Sequence, residues 1–327
     1  MAPSDYPKQQ YFNLTFPFPY VAHVEIDRAS KLNAFTEPMV HSLGTIFKQL
    51  SSDPDVRAIV LSGNGPRAFT AGLDVQAASE SGPLSGVDAQ SDVDTARKAV
   101  LLRRNILQFQ NSVSLVEQCE KPVIAALHGI SYGIALDITT CCDVRFCSKD
   151  VRFAVKEVDI GLAADVGTLT RLPKANLPMS WVKEVSFTAR EFGAEEALRV
   201  GLVSGVFDSR EQTLEKALAL ARSISEKSPI AVQATKEILN FSRDHSVQDG
   251  KSMVMRAILI AFLGLTILGN RTELRCGIQH GHDTVRRREE GHVGGHQEDK
   301  AHFREVVDYP MYSIVVLHGD SEFRCGV

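Results

Sequence analysis

Tryptophan occurs once in this chain, and only 7% of its residues are aromatic, so no aromatic-rich recognition surface is announced. Cysteine is scarce and badly spaced for a covalent framework. Cys119, Cys141, Cys142, Cys147, Cys276 and Cys325 contain no CxxC pair, and the adjacent Cys141 and Cys142 suit a disulfide scaffold poorly. The pattern reads as reduced, packed thiols in an intracellular compartment. A formal charge of -4 excludes the strongly basic balance expected of a nucleic-acid or anionic-membrane binder. The longest apolar run, "AILIAFLGLTIL" (257–268), is too short for a comfortable bilayer span and reads as a buried helix. "MAPSDYPKQQYFNLTF" at the start lacks the apolar centre of a secretory signal and the Arg-rich face of a transit peptide. There is no GxxxxGK[ST], and no GxGxxG opens a helix, so a nucleotide phosphate loop is not indicated.

What remains is the composition of a globular chain, long enough at 327 residues for one large domain or two ordinary ones. "YVAHVEIDR" (20–28) alternates like a strand, and "TEPMVHSLGTIFKQLSSD" follows with a Thr cap and helical apolar spacing. "VRAIVLSGNG" (56–65) predicts a second strand, and "KPVIAALHG" (121–129) a third, apolar enough to be covered on both faces. "VRFCSKDVRFAV" (144–155) predicts a fourth. A long helix is predicted over 92–119, with a small, polar loop over 76–91. From 189 onward the pattern is mostly helical, with a turn at Gly201. Strands alternating with helices give an α/β core, followed by a helical region.

Two Gly-bearing turns follow strands, "SGNGPRAFTAGLD" (62–74) and "HGISYGIALD" (128–137). Each alone reads as a tight turn. Side by side, two strand-to-helix turns can aim free backbone N–H groups at one oxygen, which suits a carbonyl becoming an enolate. An enolate needs a base. "VKEVDIGLAADVG" (155–167) sets Glu157, Asp159 and Asp165 among apolar residues, where a carboxylate's pKa rises toward the range useful for proton transfer. Asp159 reads as a capping or ion-paired acid. For Glu157 and Asp165, pairing with Lys156, Arg145 or Arg171 stands beside the catalytic reading.

"FTAGLD" (69–74), "KPVIAALHG" (121–129), "CDVRFCSKDVRFAVKEVDIGLAADVGTLTRLPK" (142–174) and "TAREFGAEEALRVGLVSGVF" (188–207) together resemble the crotonase, or enoyl-CoA hydratase/isomerase, superfamily. The resemblance runs from about residue 12 to about residue 250. It is strongest toward the Δ3,5-Δ2,4-dienoyl-CoA isomerases, whose Asp, Glu and Asp fall on Asp137, Glu157 and Asp165. It implies an α/β crotonase-like (ββα) superhelix over residues 1–200, a helical C-terminal region over 201–250, and assembly as trimers or hexamers if the tail allows. It also implies a coenzyme A thioester substrate, fatty-acid β-oxidation as the setting, and no metal or redox cofactor. The N–H groups of Ala71 and Ile134 are the implied oxyanion donors, although Gly133-Ile134-Ala135 replaces the usual triple glycine. Ala71, Gly72, Leu73, Asp74 and Val75 are implied to line the thioester, and Lys31 in "KLNAF" to reach a nucleotide phosphate or simply to stand in solvent. An enoyl-CoA hydratase or Δ3-Δ2 isomerase, and a non-catalytic interaction protein, are the competing readings.

The resemblance stops near residue 250. Residues 251–327 are atypical, with His280, His282, His292 and His296 as weak metal candidates that no ligand spacing supports. Shifting the reading of "GHVGGHQEDKAHFREVV" (291–307) by one nucleotide is compatible with Asp-Met-Ser-Ala-Ala-Thr-Lys-Lys-Thr-Lys-Pro-Thr-Phe-Ala-Lys-Leu and a stop, a small-basic-Leu peroxisomal ending. A frameshift or retained intron is therefore expected between about 251 and 270. The family setting implies a peroxisome or, alternatively, a mitochondrion. As written the tail carries no such tripeptide, which implies the cytoplasm.

Overall fold

The computed structural model describes Tyr6, residues 9–77 and 94–255, and the backbone of two strands, Val306–Tyr309 and Tyr312–Val315. The chain divides into two units, Met1–Leu263 and Gly264–Val327. In the second, the two strands pair antiparallel. The predicted loop at 76–91 and apolar run at 257–268 lie almost wholly outside the described residues, as do the four tail histidines.

Two sheets build the first unit. The larger contains β1 (Phe12–Phe18), β2 (Val21–Ile26), β3 (Ala58–Gly63), β5 (Val123–Leu127), β7 (Val144–Ser148) and β10 (Gly205–Phe207), in that spatial order. β1 joins β2 antiparallel, and every later neighbour is parallel. The smaller contains β4 (Ala68–Thr70), β6 (Ile130–Tyr132), β8 (Arg152–Ala154) and β9 (Phe192–Gly193). Each of β3, β5 and β7 feeds directly into a strand of the smaller sheet. This is the repeated ββα architecture that the resemblance implied. The predicted single strand over 144–155 is corrected to two, β7 and β8. They belong to different sheets, and the Ser148 hydroxyl donates to Asp150 at the corner between them.

Period-two alternation explains why β5 is apolar throughout. Val123, Ala125 and Leu127 enter the main core, while Ile124 and Ala126 pack on the opposite face with Ala217 and Ala221. Those alanines lie on α7 (Arg210–Ser225), started by the Ser209 hydroxyl accepting the Gln212 N–H at 3.2 Å. Beneath the other face, α1 (Glu37–Ser52) buries Met39, Val40, Leu43, Ile46, Phe47 and Leu50 at helical spacing. It packs on α2 (Thr95–Gln118), whose N-cap Asp94 accepts the Arg97 N–H at 3.0 Å. A Cβ at Gly44 would lie 3.0 Å from the Ser112 backbone, so glycine sets that close approach. Further helices are α3 (Ile134–Thr140), α4 (Thr168–Arg171), α5 (Met179–Thr188), α6 (Ala194–Val200) and α8 (Pro229–Ser242). Cys119, Cys141, Cys142 and Cys147 are free and buried; Cys276 and Cys325 lie outside the described residues.

Candidate active site

The two Gly turns lie against each other. A Cβ on Gly133 would stand 3.9 Å from Gly72 Cα, and one on Gly72 would meet the Tyr132 carbonyl oxygen at 3.4 Å. Both glycines have positive φ, +109° at Gly72 and +54° at Gly133. These are the positions where a side chain would both strain the backbone and fill the space between the turns.

The first turn is splinted by residues 32–35. Asn33 is fully buried with φ +55°. Its Oδ1 accepts the Arg28 N–H at 2.9 Å, and its Nδ2 donates to the Asn64 and Ala68 carbonyls, both at 2.9 Å. Thr70 Oγ1 donates to the Asn33 carbonyl at 2.7 Å. Phe35 N–H donates to Gly72 O at 2.9 Å, and Asp74 N–H to Phe35 O at 2.8 Å. The expected donor Ala71 is a correction: its N–H is already given to Leu32 O at 2.9 Å. Gly72 N–H goes to Thr70 Oγ1 at 3.2 Å. In the parallel bridge Phe35–Leu73, Phe35 bonds to residues 72 and 74, so Leu73's own N–H faces away from the splint. It has no acceptor among the described residues. The free donor of this turn is therefore Leu73, two residues beyond the expectation.

In the second turn Ile134 N–H has no acceptor among the described residues. Gly133 N–H donates to Ala154 O at 2.9 Å, and Ile134 is the first residue of α3, whose N–H has no intrahelical acceptor. Its side chain is buried, 4% exposed.

Glu157 opens a 3-10 turn, Glu157–Ile160, immediately after β8. Its Oε1 lies 3.1 Å from the point a Gly133 Cβ would occupy, which puts the carboxylate beside both turns. Its Oε2 is buried with no hydrogen-bond partner among the described residues. Burial first, then the charge of Asp137, and to a lesser degree that of Asp165, push its pKa up to about 7; its own backbone N–H offsets part of this. Asp137, 1% exposed on α3, is more buried than Glu157 or Asp165. Its Oδ1 accepts the Thr168 N–H at 2.6 Å and the Thr168 hydroxyl at 2.7 Å. Burial nonetheless raises its pKa to about 6, against those two bonds, with Asp165 adding to the rise.

Asp165 corrects the expectation of acids sunk in an apolar stretch: it is exposed. Its carbonyl oxygen accepts Gln110 Nε2 at 2.5 Å, tying the loop to α2. Asp159 pairs with Lys156 at 3.0 Å, in line with its reading as an ion-paired acid. Arg145 donates to the Leu202, Thr139 and Cys142 carbonyls, and Arg171 pairs with Glu117, so neither neutralises Glu157. Of the expected thioester-lining residues, Asp74 is committed to Arg28 at 2.8 Å, and Val75 is 48% exposed. Lys31 is exposed at the end of a 3-10 turn, Ala29–Lys31. From sequence, Leu73 reads only as a thioester-lining residue and not as a donor, and Asn33 and Thr168 are not singled out at all. The Asn in "KLNAF" was the available signal for the second; nothing in the pattern distinguished the first from Ala71.

Residues 19–256 match the family model described as enoyl-CoA hydratase/isomerase. The chain belongs to the enoyl-CoA hydratase/isomerase family. It is 46% identical over 241 residues to the mitochondrial Δ(3,5)-Δ(2,4)-dienoyl-CoA isomerase of Homo sapiens, covering 72% of this chain and 70% of that protein. It is 40% identical over 236 residues to the peroxisomal protein of that name from Arabidopsis thaliana, covering 72% and 82%. The crystal structure of an enoyl-CoA hydratase from Bacillus anthracis shares the fold, with a TM-score of 0.67 at 24% identity, covering 84% of this chain and 97% of that one. In this member of the family, two backbone N–H groups without an acceptor and a carboxylate oxygen without a donor, among the described residues, share one corner. No helix among the described residues is long and apolar enough to cross a membrane.

Proposed function

We propose that the chain isomerises a 3,5-dienoyl-CoA to the 2,4-dienoyl-CoA. The observation that carries this reading is the buried, unpartnered oxygen of Glu157 beside the free N–H groups of Leu73 and Ile134. The likeness to proteins of that name supports the choice of substrate. Glu157 takes a proton from C2, whose acidity rises as negative charge moves onto the thioester oxygen. The two N–H groups stabilise that oxygen. The electron pair spreads through the diene to C6. Asp165 returns a proton there, which leaves double bonds at C2 and C4. Ionised Asp137 stands behind Glu157 and strengthens it as a base. Proton transfers complete the reaction, so it asks for no metal or redox cofactor. Lys31, exposed to solvent, meets the coenzyme A phosphates in this reading. The setting is the β-oxidation of unsaturated fatty acids.

The test is to mix purified chain with a 3,5-dienoyl-CoA and follow the absorbance of the conjugated 2,4-dienoyl product. Turnover that is lost in Glu157→Gln supports the proposal. Water addition to a 2-enoyl-CoA without isomerisation overturns it in favour of a hydratase, and correctly folded protein that turns over neither overturns it in favour of a non-catalytic role.

A further inference from the structure

Asp137 presents a physical problem. It is almost fully buried, and no cation touches it among the described residues. Both described hydrogen bonds to its carboxylate fall on one oxygen and come from one residue, Thr168. That residue begins the four-residue helix α4, which ends in Arg171. The Arg171 guanidinium passes so close to Gly167 that a Cβ there would collide with its Nη1; the same point lies 3.9 Å from Asp137 Oδ1. The rest of the guanidinium is braced from outside. Nε and Nη2 reach Glu117 at 3.0 and 2.9 Å, and Nη2 donates to Ser114 at 3.1 Å. Glu117 in turn accepts Arg243 Nη1 at 2.6 Å, from just past α8.

We infer that Thr168 is a positioning residue whose N–H and hydroxyl fix Asp137 behind Glu157, with braced Arg171 as the positive charge that backs the arrangement. The inference rests on the proposed reaction for its kinetic consequence but not for its geometry. The groups that face Asp137 are Cys141 on its own helix, Asp165 and Arg171 on the α4 side, and Glu157 across the site; Glu117 lies behind Arg171. Burial disfavours the Asp137 charge most and Asp165 disfavours it further, while Thr168 opposes both. Without the hydroxyl, Asp137 keeps its proton to higher pH. Glu157 then loses the neighbouring charge that makes it a strong base.

The experiment compares Thr168→Val, which deletes the hydroxyl and keeps the N–H, with Thr168→Ser, which keeps both. The first readout needs no turnover. The infrared band of the protonated Asp137 carboxyl, isolated by subtraction of an Asp137→Asn spectrum, is titrated against pH. In Thr168→Val the band persists to higher pH, and in Thr168→Ser it follows the parent. The second readout is isomerisation. Thr168→Val lowers kcat about 10-fold, the scale of one hydrogen bond to a charged group, with KM unchanged and the acid limb of kcat/KM moved to lower pH. Thr168→Ser restores all three. An Asp137 titration that is the same in Thr168→Val, or a Thr168→Ser variant that behaves like Thr168→Val, overturns the inference. Should Thr168→Val not fold, Thr168→Ala is read in its place. If the parent chain has no isomerase activity, the proposed reaction fails while the titration still decides the role of Thr168.

Discussion

The two halves of the site are built by opposite rules. The donor half, around Leu73 and Ile134, is made of backbone, and nearly every neighbouring polar group is tied down: Ala71, Gly72 and Asp74 all spend their N–H groups on nearby oxygens. The acid half is made of side chains, and its central oxygen, Glu157 Oε2, is tied to nothing among the described residues. A backbone donor survives a change of side chain, so the donor position in Gly133-Ile134-Ala135 can carry an isoleucine. A carboxylate has no such freedom. The lesson is that rigidity on one side is what allows an unsatisfied, high-energy group on the other.

The largest expected effect comes from breaking the acid half. Glu157→Gln keeps the shape and removes the base, and isomerisation should fall by about 10²–10⁴-fold. Asp165→Asn should also abolish product formation but leave an earlier event intact. In deuterated water, Asp165→Asn should still exchange the C2 hydrogen of the substrate, which Glu157→Gln should not; mass spectrometry of recovered substrate distinguishes them. Exchange retained in Glu157→Gln and lost in Asp165→Asn would reverse the two assignments.

The donor half breaks differently. Ile134 is the first residue of α3, a position where proline fits a helix because the missing N–H had no intrahelical partner. Ile134→Pro should therefore fold and lose about 10²–10³-fold in kcat, the usual cost of one oxyanion donor. Ile134→Gly should do the reverse. It keeps the donor and the rate, but empties a buried side-chain site and lowers the melting temperature, on the scale of about 2–5 kcal/mol for a large-to-small core change. If both variants lose rate equally, the side chain rather than the N–H matters, and the contrast between the halves collapses.

The same contrast explains what could be read without a structure. Long elements with full periods were legible: the alternation of "YVAHVEIDR", the apolar run that became β5, and the spacing of α1. The acid half was legible too, because carboxylates among apolar residues are a chemical signal in the letters themselves. The smaller sheet was not. β4, β6 and β8 have three residues each, too few to show a period, and β8 was absorbed into β7. The donor half was legible only to within a turn. Ala71 and Leu73 differ in hydrogen bonding to residues 32–35, far away in the chain, and no local pattern states which N–H is left over. Exposure also escaped at Asp165, which shares the apolar stretch with Glu157 yet faces solvent.

A smaller effect sharpens the electrostatics. Because Glu157 must be ionised to act and its pKa is pushed up to about 7, kcat/KM should fall about 10-fold per unit as pH drops below that value. A stopped assay from pH 5 to pH 8, extrapolated to low substrate, measures the limb. Asp137→Asn removes one of the two charges that raise it, so the limb should move to lower pH. An unmoved limb would assign it to another group.

The smallest effect is on stability, and its sign is fixed by linkage. The Glu157 pKa is higher in the folded chain, about 7, than its unfolded value of 4.5. Below 4.5 both states hold the proton and the folded state carries no penalty. As pH rises toward 7 the unfolded chain releases the proton before the folded one does, and stability declines. Above 7 the folded chain bears a charge whose Oε2 is buried with no partner among the described residues. Glu157→Gln removes that charge, so it should raise the melting temperature at pH 8 and leave it unchanged at pH 4. A pair of thermal melts at each pH suffices. A gain at both pH values would mean that shape, not charge, is strained at Glu157. A gain confined to pH 8 would show that the group proposed as the base is kept at a cost to the fold, as expected of a site tuned for reaction rather than for stability.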